Sequence, residues 1–153
     1  MDALVGGVGS DFLSGGSGND TLIGVDPFVP AFGFGGTADN PVAPFEIDTL
    51  TGGAGSDTFF LGDNGTVLGI TREDSRPEVY YVDGGNSDFA LITDFNLSED
   101  VIQLPANYSF SLGASPADLP SGTSISFEND LIGILQGVSP SDLSLGSSNF
   151  SYV

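Results

Sequence analysis

Three aspartates with matching surroundings carry the chemistry that this sequence can do. Asp11, Asp20 and Asp57 each stand sixth in a nine-residue unit, Gly-Gly-x-Gly-x-Asp-x-U-x, where U is a large apolar residue. The three copies read GGVGSDFLS, GGSGNDTLI and GGAGSDTFF, starting at Gly6, Gly15 and Gly52. Glycines free the backbone for positive φ and for close approach, so such a loop can aim several carbonyl oxygens inward. The aspartate adds a carboxylate. Two turns of this kind stacked on one another make a cage of hard oxygen ligands, which suits Ca²⁺ better than Mg²⁺ or Zn²⁺. A flexible acidic linker is also rich in Gly and Asp. It has no reason to repeat the aspartate at the sixth place and the large apolar residue at the eighth.

The elements that must position these aspartates follow from the same spacing. Each unit divides into a six-residue turn and a three-residue strand, and the central strand residue (Leu13, Leu22 or Phe59) points to one side. Two units then make one coil with a turn at each end and a strand on each face. Successive coils stack, so turns lie above turns. Asp2-Ala3-Leu4-Val5 fits the last four places of a preceding unit, so the array starts mid-unit. That start suits either a natural short protein or the tail of a longer one. After Ile23 the pattern decays through Gly24-Val25-Asp26 into a stretch rich in Pro and Phe, read as an insertion at about 25–47. Its Phe28, Phe32, Phe34 and Phe45 either pack back over the coil end or form a partner-binding patch. The pattern resumes at Asp48-Thr49-Leu50-Thr51. Counting back from Gly52 gives a unit at 43–51 whose glycine places hold Ala43, Pro44 and Glu46. Asp63 follows the last full copy in a turn with spare oxygen ligands.

Beyond Thr66 the nonapeptide fades. Strands are expected at 67–70, 79–82, 92–95, 101–104, 108–112, 123–127 and 131–136, with Asn129-Asp130 as a hairpin turn. Residues 83–91 read as a worn repeat. Residues 115–119 and 139–143 each read as one helical turn with Ser at the cap and Pro next. No long amphipathic helix is visible. The expected class is all-β: a short right-handed parallel β-roll over residues 1–65 and a mostly antiparallel β cap over 66–153, in one continuous domain. A solenoid end exposes unpaired strands, so a cap is physically expected.

Composition excludes several functions. The chain has 153 residues, 21 Asp plus Glu, two Arg (Arg72 and Arg76), no Lys, and a net charge of −19. Nucleic acid needs Lys and Arg at its phosphates, and anionic membrane surfaces repel such a chain, so neither is an expected partner. Without Cys or His there is no disulfide, thiolate or imidazole metal site, and no Ser-His or Cys-His catalysis. No apolar run is long enough for a transmembrane helix, and no cleaved N-terminal signal is visible. Yet 39% of the residues are hydrophobic and 12 are Phe, so this is a folding chain. Self-repulsion opposes its compact state until cations offset the charge.

The three nonapeptides resemble the RTX, or hemolysin-type, calcium-binding repeats, whose nine-residue period marks a parallel β-helix. The stretch DFALITDFNLSEDVIQL (88–104) is similar to the strand-turn-strand after the last repeat in RTX C-terminal regions, including those of serralysin proteases. The C-terminal GVSPSDLSL and NFSYV are a weaker match. The resemblance implies two to five Ca²⁺ ions held between stacked turns. Asp11, Asp20 and Asp57 are the implied carboxylate ligands, with carbonyls near Gly6, Gly7, Gly9, Gly16, Gly18, Gly53 and Gly55. Asp26, Asp48 and Asp63 sit in degenerate units and are further candidate ligands. Asp83, Asp88, Asp94 and Asp100 either build a further site or cap turns. The resemblance also implies secretion by the type I machinery through an uncleaved C-terminal signal, and hence an extracellular or cell-surface location.

The expected function is therefore a secreted calcium-binding module for structure and export, and not an enzyme. A glycosidase-like carboxylate pair is the catalytic alternative, but the aspartates lie in metal turns and no pocket-forming domain of usual size remains. Ice binding needs matched rows of Thr or Asn on a flat face, and there are too few coils to repeat them. Adhesion or self-association through the Phe-rich insert or the roll end is the remaining alternative.

Overall fold

The computed structural model of the chain describes residues 1–28, 45–72 and 76–153. The protein is all-β, with no α-helix among the described residues. The first five strands are β1 (Ala3–Gly7), β2 (Phe12–Ser17), β3 (Thr21–Val25), β4 (Ile47–Ala54) and β5 (Thr58–Phe60). Four two-residue strands follow: β6 (Gly62–Asp63), β7 (Thr66–Val67), β8 (Ile70–Thr71) and β9 (Glu78–Val79). The last six are β10 (Phe89–Ile92), β11 (Val101–Leu104), β12 (Phe110–Ala114), β13 (Gly122–Phe127), β14 (Asp130–Gln136) and β15 (Phe150–Tyr152).

Strands β1 to β5, and then β10 and β11, alternate between two sheets. One has the order β1-β3-β5-β11-β15 and is parallel throughout. The other has the order β12-β13-β14-β10-β4-β2; β2, β4, β10 and β14 are parallel, while β13 and β12 are antiparallel. The U residues explain this stacking. Leu4, Leu22, Phe59, Ile102 and Phe150 stand in register across the first sheet. Leu13, Leu50, Ile92 and Leu135 do so across the second. All but Leu4 and Leu13, at the outer edge, are buried. Two apolar ladders thus face inward, and the second half of the chain extends both without the glycine-rich unit.

Paired turns are 18 residues apart between Asp2 and Asp20, but 37 apart between Asp11 and Asp48 and between Asp20 and Asp57. The insertion supplies the difference, and the register is kept across it. Phe28 and Phe45, at its ends, are exposed. The expectation for Phe32 and Phe34 lies outside the described residues.

Several local expectations give way. Residues 66–153 mix both pairings: β7–β8, β9 and β12–β14 pair antiparallel, while β10, β11 and β15 carry apolar residues in the same inward register and join the parallel stacks. Residues 67–70 form a hairpin between β7 and β8, since Leu68 (φ 50°) and Gly69 (φ 79°) turn left-handed. The expected strand at 79–82 stops at Val79, where Tyr81 (φ 58°) and Asp83 (φ 70°) turn the chain. The β13–β14 turn sits at Glu128 (φ 48°) and Asn129 (φ 72°), one residue earlier than the sequence suggests. Pro140–Asp142 is a short 3₁₀ helix. At 115–119 there is only a turn, with the Leu119 amide donating to the Pro116 carbonyl at 3.1 Å.

Candidate metal centre

The glycines of each unit divide into two kinds. Gly7, Gly9, Gly16, Gly18, Gly53 and Gly55 have φ between +89° and +128°, a region that residues with a Cβ rarely enter. The leading glycine is needed for space. A Cβ on Gly6, Gly15 or Gly52 would stand 2.7, 2.7 or 2.4 Å from Oδ2 of Asp11, Asp20 or Asp57. Each leading glycine therefore leaves room for the carboxylate of its own unit. The turns also stack closely: a Cβ on Gly53 or Gly55 would come within 2.1 or 2.2 Å of the carbonyl oxygens of Gly16 or Gly18.

The aspartates form ladders along the stacked turns. The Asp2 amide donates to Oδ1 of Asp20 at 2.5 Å, the Asp20 amide to Oδ1 of Asp57 at 2.8 Å, and the Asp57 amide to Oδ1 of Asp100 at 2.9 Å. On the other row the Asp11 amide donates to Oδ1 of Asp48 at 2.8 Å. The second oxygen tells the sites apart. Oδ2 of Asp11, Asp20 and Asp57 is buried and has no hydrogen-bond partner. At Gly6 and Gly15 the carbonyl of the stacked Gly24 or Gly52 crowds the same point, 2.4 or 2.6 Å from the missing Cβ. A carboxylate oxygen and a carbonyl oxygen, both acceptors, thus border the space that each of these leading glycines leaves open. Leaving a buried carboxylate oxygen bare costs several kcal/mol, on the order of the desolvation of a charged group, and a bound cation removes that cost. The donor set fits calcium: hard oxygens, with no nitrogen or sulfur. Among the described residues no three carboxylates converge on one point, so main-chain carbonyls have to complete any cage.

The degenerate positions differ. Asp48 is buried, but its Oδ2 accepts from the Tyr81 hydroxyl at 2.6 Å. Its leading glycine is Gly24, whose Cβ would stand 2.2 Å from Asp48 Oδ2. The unit is therefore split by the insertion and runs from Gly24 to Asp48, rather than over 43–51. Asp26 caps the chain locally, accepting from the Phe28 amide at 2.9 Å. Asp63 accepts from Arg72 at 2.9 Å, the Tyr80 hydroxyl at 2.6 Å and the Gly65 amide at 2.5 Å. Arg72 is itself buried and also meets Glu78 and the Pro27 carbonyl.

Further acids join the turns. Asp94 accepts from the Gly52 and Gly53 amides at 2.9 and 2.8 Å. Asp100 accepts from the Asn96 amide at 2.8 Å as well as from Asp57. Asp88 takes the Glu46 amide at 3.4 Å and leaves its own Oδ2 without a partner. Asp83 uses its amide instead, donating to Asp130. Sequence reasoning missed Glu46, which accepts from the Gly9 amide at 2.6 Å. The signal was its place: it occupies a glycine position of the pattern and brings a carboxylate there. Tyr81 carried no signal, because it meets Asp48 across 33 residues of chain.

The acids are starved of positive neighbours. Burial pushes Glu46 and Asp88 up to about 7, with nearby carboxylates adding to the rise. Burial also raises Asp48, Asp57 and Asp100, against the backbone and hydroxyl hydrogen bonds they accept.

This geometry, glycine turns stacked over buried, cation-ready aspartates, defines a calcium-binding repeat module. The RTX calcium-binding nonapeptide repeat matches residues 1–25 and 46–66 in four copies. Such repeats bind Ca²⁺ ions. The match stops where the insertion begins, resumes after it, and leaves the remainder of the chain outside. A comparison with curated proteins found no match. No helix among the described residues is long and apolar enough to cross a membrane.

Proposed function

We propose that the two sheets form a right-handed parallel β-roll whose repeat turns are completed by calcium, and that the chain serves outside the cell as a structural and export module. The observation that carries this reading is the recurrence of one bare, buried oxygen at Asp11, Asp20 and Asp57. In this reading these carboxylates hold the ions together with carbonyls of Gly6, Gly7, Gly9, Gly16, Gly18, Gly53 and Gly55. The ion supplies a hard positive charge that joins one turn to the next. β10, β11 and β15 lengthen the roll, and β12–β14 cover one end.

The net charge of −19 gives the ion a second task. Extracellular calcium modules bind at about 10⁻⁴ to 10⁻³ M. In a cytosol poor in calcium the repeat turns stay open and the chain stays exportable by the type I route that the RTX resemblance implies. Millimolar calcium outside then completes the fold, because binding stabilises the native state alone. Titrating Ca²⁺ into metal-stripped protein under far-ultraviolet circular dichroism tests this, with Mg²⁺ as the control. A cooperative gain of β signal near millimolar Ca²⁺, absent with Mg²⁺, is expected. A spectrum already complete in chelator contradicts it.

Self-association is a second reading, favoured by one observation. β1 and β2 are the outer strands of the two sheets, and Val8 and Phe12 beside and on them are 71% and 84% exposed. Molecular mass that rises with protein concentration in calcium supports it, and a constant monomer mass rejects it.

A further inference from the structure

We infer that the Tyr81 hydroxyl closes the split turn at Asp48 in place of an ion, so that this turn neither holds nor needs calcium. The inference rests on the calcium reading above and goes beyond it by assigning a protein group to one place in the array.

The four motif aspartates provide the comparison. In each, Oδ2 lies close to the leading glycine of its own unit, at Gly6, Gly15, Gly24 or Gly52. Asp11, Asp20 and Asp57 leave that oxygen without a partner. At Gly6 and Gly15 the neighbouring atom from the next turn is a carbonyl oxygen, an acceptor. At Gly24 it is the Tyr81 hydroxyl, 2.1 Å from where a Cβ would stand. The split turn therefore replaces an acceptor with a donor. The hydroxyl gives its proton to Asp48 at 2.6 Å, and a hydrogen bond to a carboxylate is about twice as strong as one between neutral groups. The oxygen that stays bare in the other three turns here has a donor from the protein itself.

The placement is built rather than incidental. Tyr81 is fully buried and sits at φ 58°, a backbone conformation that a tyrosine adopts only when its surroundings hold it there. Its neighbour Tyr80 does the same for Asp63, donating at 2.6 Å beside the Arg72 guanidinium. Consecutive tyrosines thus satisfy two aspartates from within the protein. The ladder of turns can pass the split unit at Gly24 and Asp48 without an ion.

Calcium stoichiometry of the full chain, measured by isothermal titration with CaCl₂, tests the inference. Asp48→Asn is expected to bind as many ions as the wild type, whereas Asp57→Asn binds fewer. Tyr81→Phe is expected to bind one ion more, since it restores the bare oxygen. Its melting temperature should fall further below wild type in chelator than in saturating calcium. A lower stoichiometry in Asp48→Asn overturns the inference. So does a Tyr81→Phe variant with unchanged stoichiometry and an equal loss in both conditions. Wild-type protein that binds no calcium overturns the repeat reading itself, a result distinct from either.

Discussion

Asp57 and Asp63 are close in sequence and equally buried, yet they are satisfied from different sources. Asp57 accepts one backbone amide and leaves its second oxygen bare. Asp63 has both oxygens filled, by Arg72, Tyr80 and a backbone amide. The difference divides the molecule. The repeat turns at 6–11, 15–20 and 52–57 each leave one buried carboxylate oxygen without a partner. The segment that follows, from β6 to Tyr81, takes the counter-charge and donors for Asp63 and Asp48 from its own side chains. A buried aspartate therefore says little about metal until its second oxygen has been traced.

Four changes can break or sharpen this contrast. The largest effect is expected from Arg72→Met, which leaves the Asp63 carboxylate buried without its guanidinium. The loss should be about 3–5 kcal/mol, the usual cost of breaking a buried ion pair from one side. It should be similar with calcium and with chelator, and chemical denaturation in both buffers would measure it. A loss abolished by calcium would place Asp63 among the metal turns.

Gly53→Ala is next. It puts a Cβ at φ 100° and 2.1 Å from the Gly16 carbonyl oxygen, and the expected cost is about 3 kcal/mol, the upper end for a strained left-handed residue. Gly7 has φ 110° with nothing near its missing Cβ, so Gly7→Ala should cost nearer ~1 kcal/mol. Equal losses would mean that the turns do not stack tightly.

Asp57→Asn should act through the ion. One site filled at a hundredfold excess over its dissociation constant adds about 2.7 kcal/mol. The variant should lose that much in calcium and nothing in chelator. Thermal melts in the two buffers separate these terms.

The last test is the effect of pH on the chelated protein. Glu46 and Asp88 rise on folding from their ordinary values of 4.5 and 3.8 to about 7. The folded state then binds protons more tightly than the unfolded state, so these groups stabilise the chelated fold below about 4 and lose that contribution as pH rises through about 7. Its melting temperature should be higher at pH 5 than at pH 8. With calcium bound the trend should reverse, because protons compete for the carboxylates.

Much of this was legible in the sequence, and the limits have physical causes. The nonapeptide named the glycines, Asp11, Asp20 and Asp57, and the inward residues Leu22, Leu50 and Phe59, because turn geometry and strand alternation are local. The ladders continue through Ile92, Ile102, Leu135 and Phe150, beyond the last full copy of the nonapeptide. A short apolar strand looks the same in a parallel or an antiparallel setting. Asp48 and Asp63 read as ligands because the motif shows the acceptor and hides the donor. Tyr80, Tyr81 and Arg72 meet them only once the chain has folded. The split unit escaped because counting residues cannot see that Gly24 and Asp48 close up across the insertion.

Hydrogen exchange followed by mass spectrometry, in calcium and in chelator, tests the central contrast most directly. Removing calcium should strip protection from residues 6–20 and 52–57, while residues 61–65, 78–82 and 122–136 keep theirs. Protection that is unchanged in the repeat turns, or lost equally in both regions, would contradict the account.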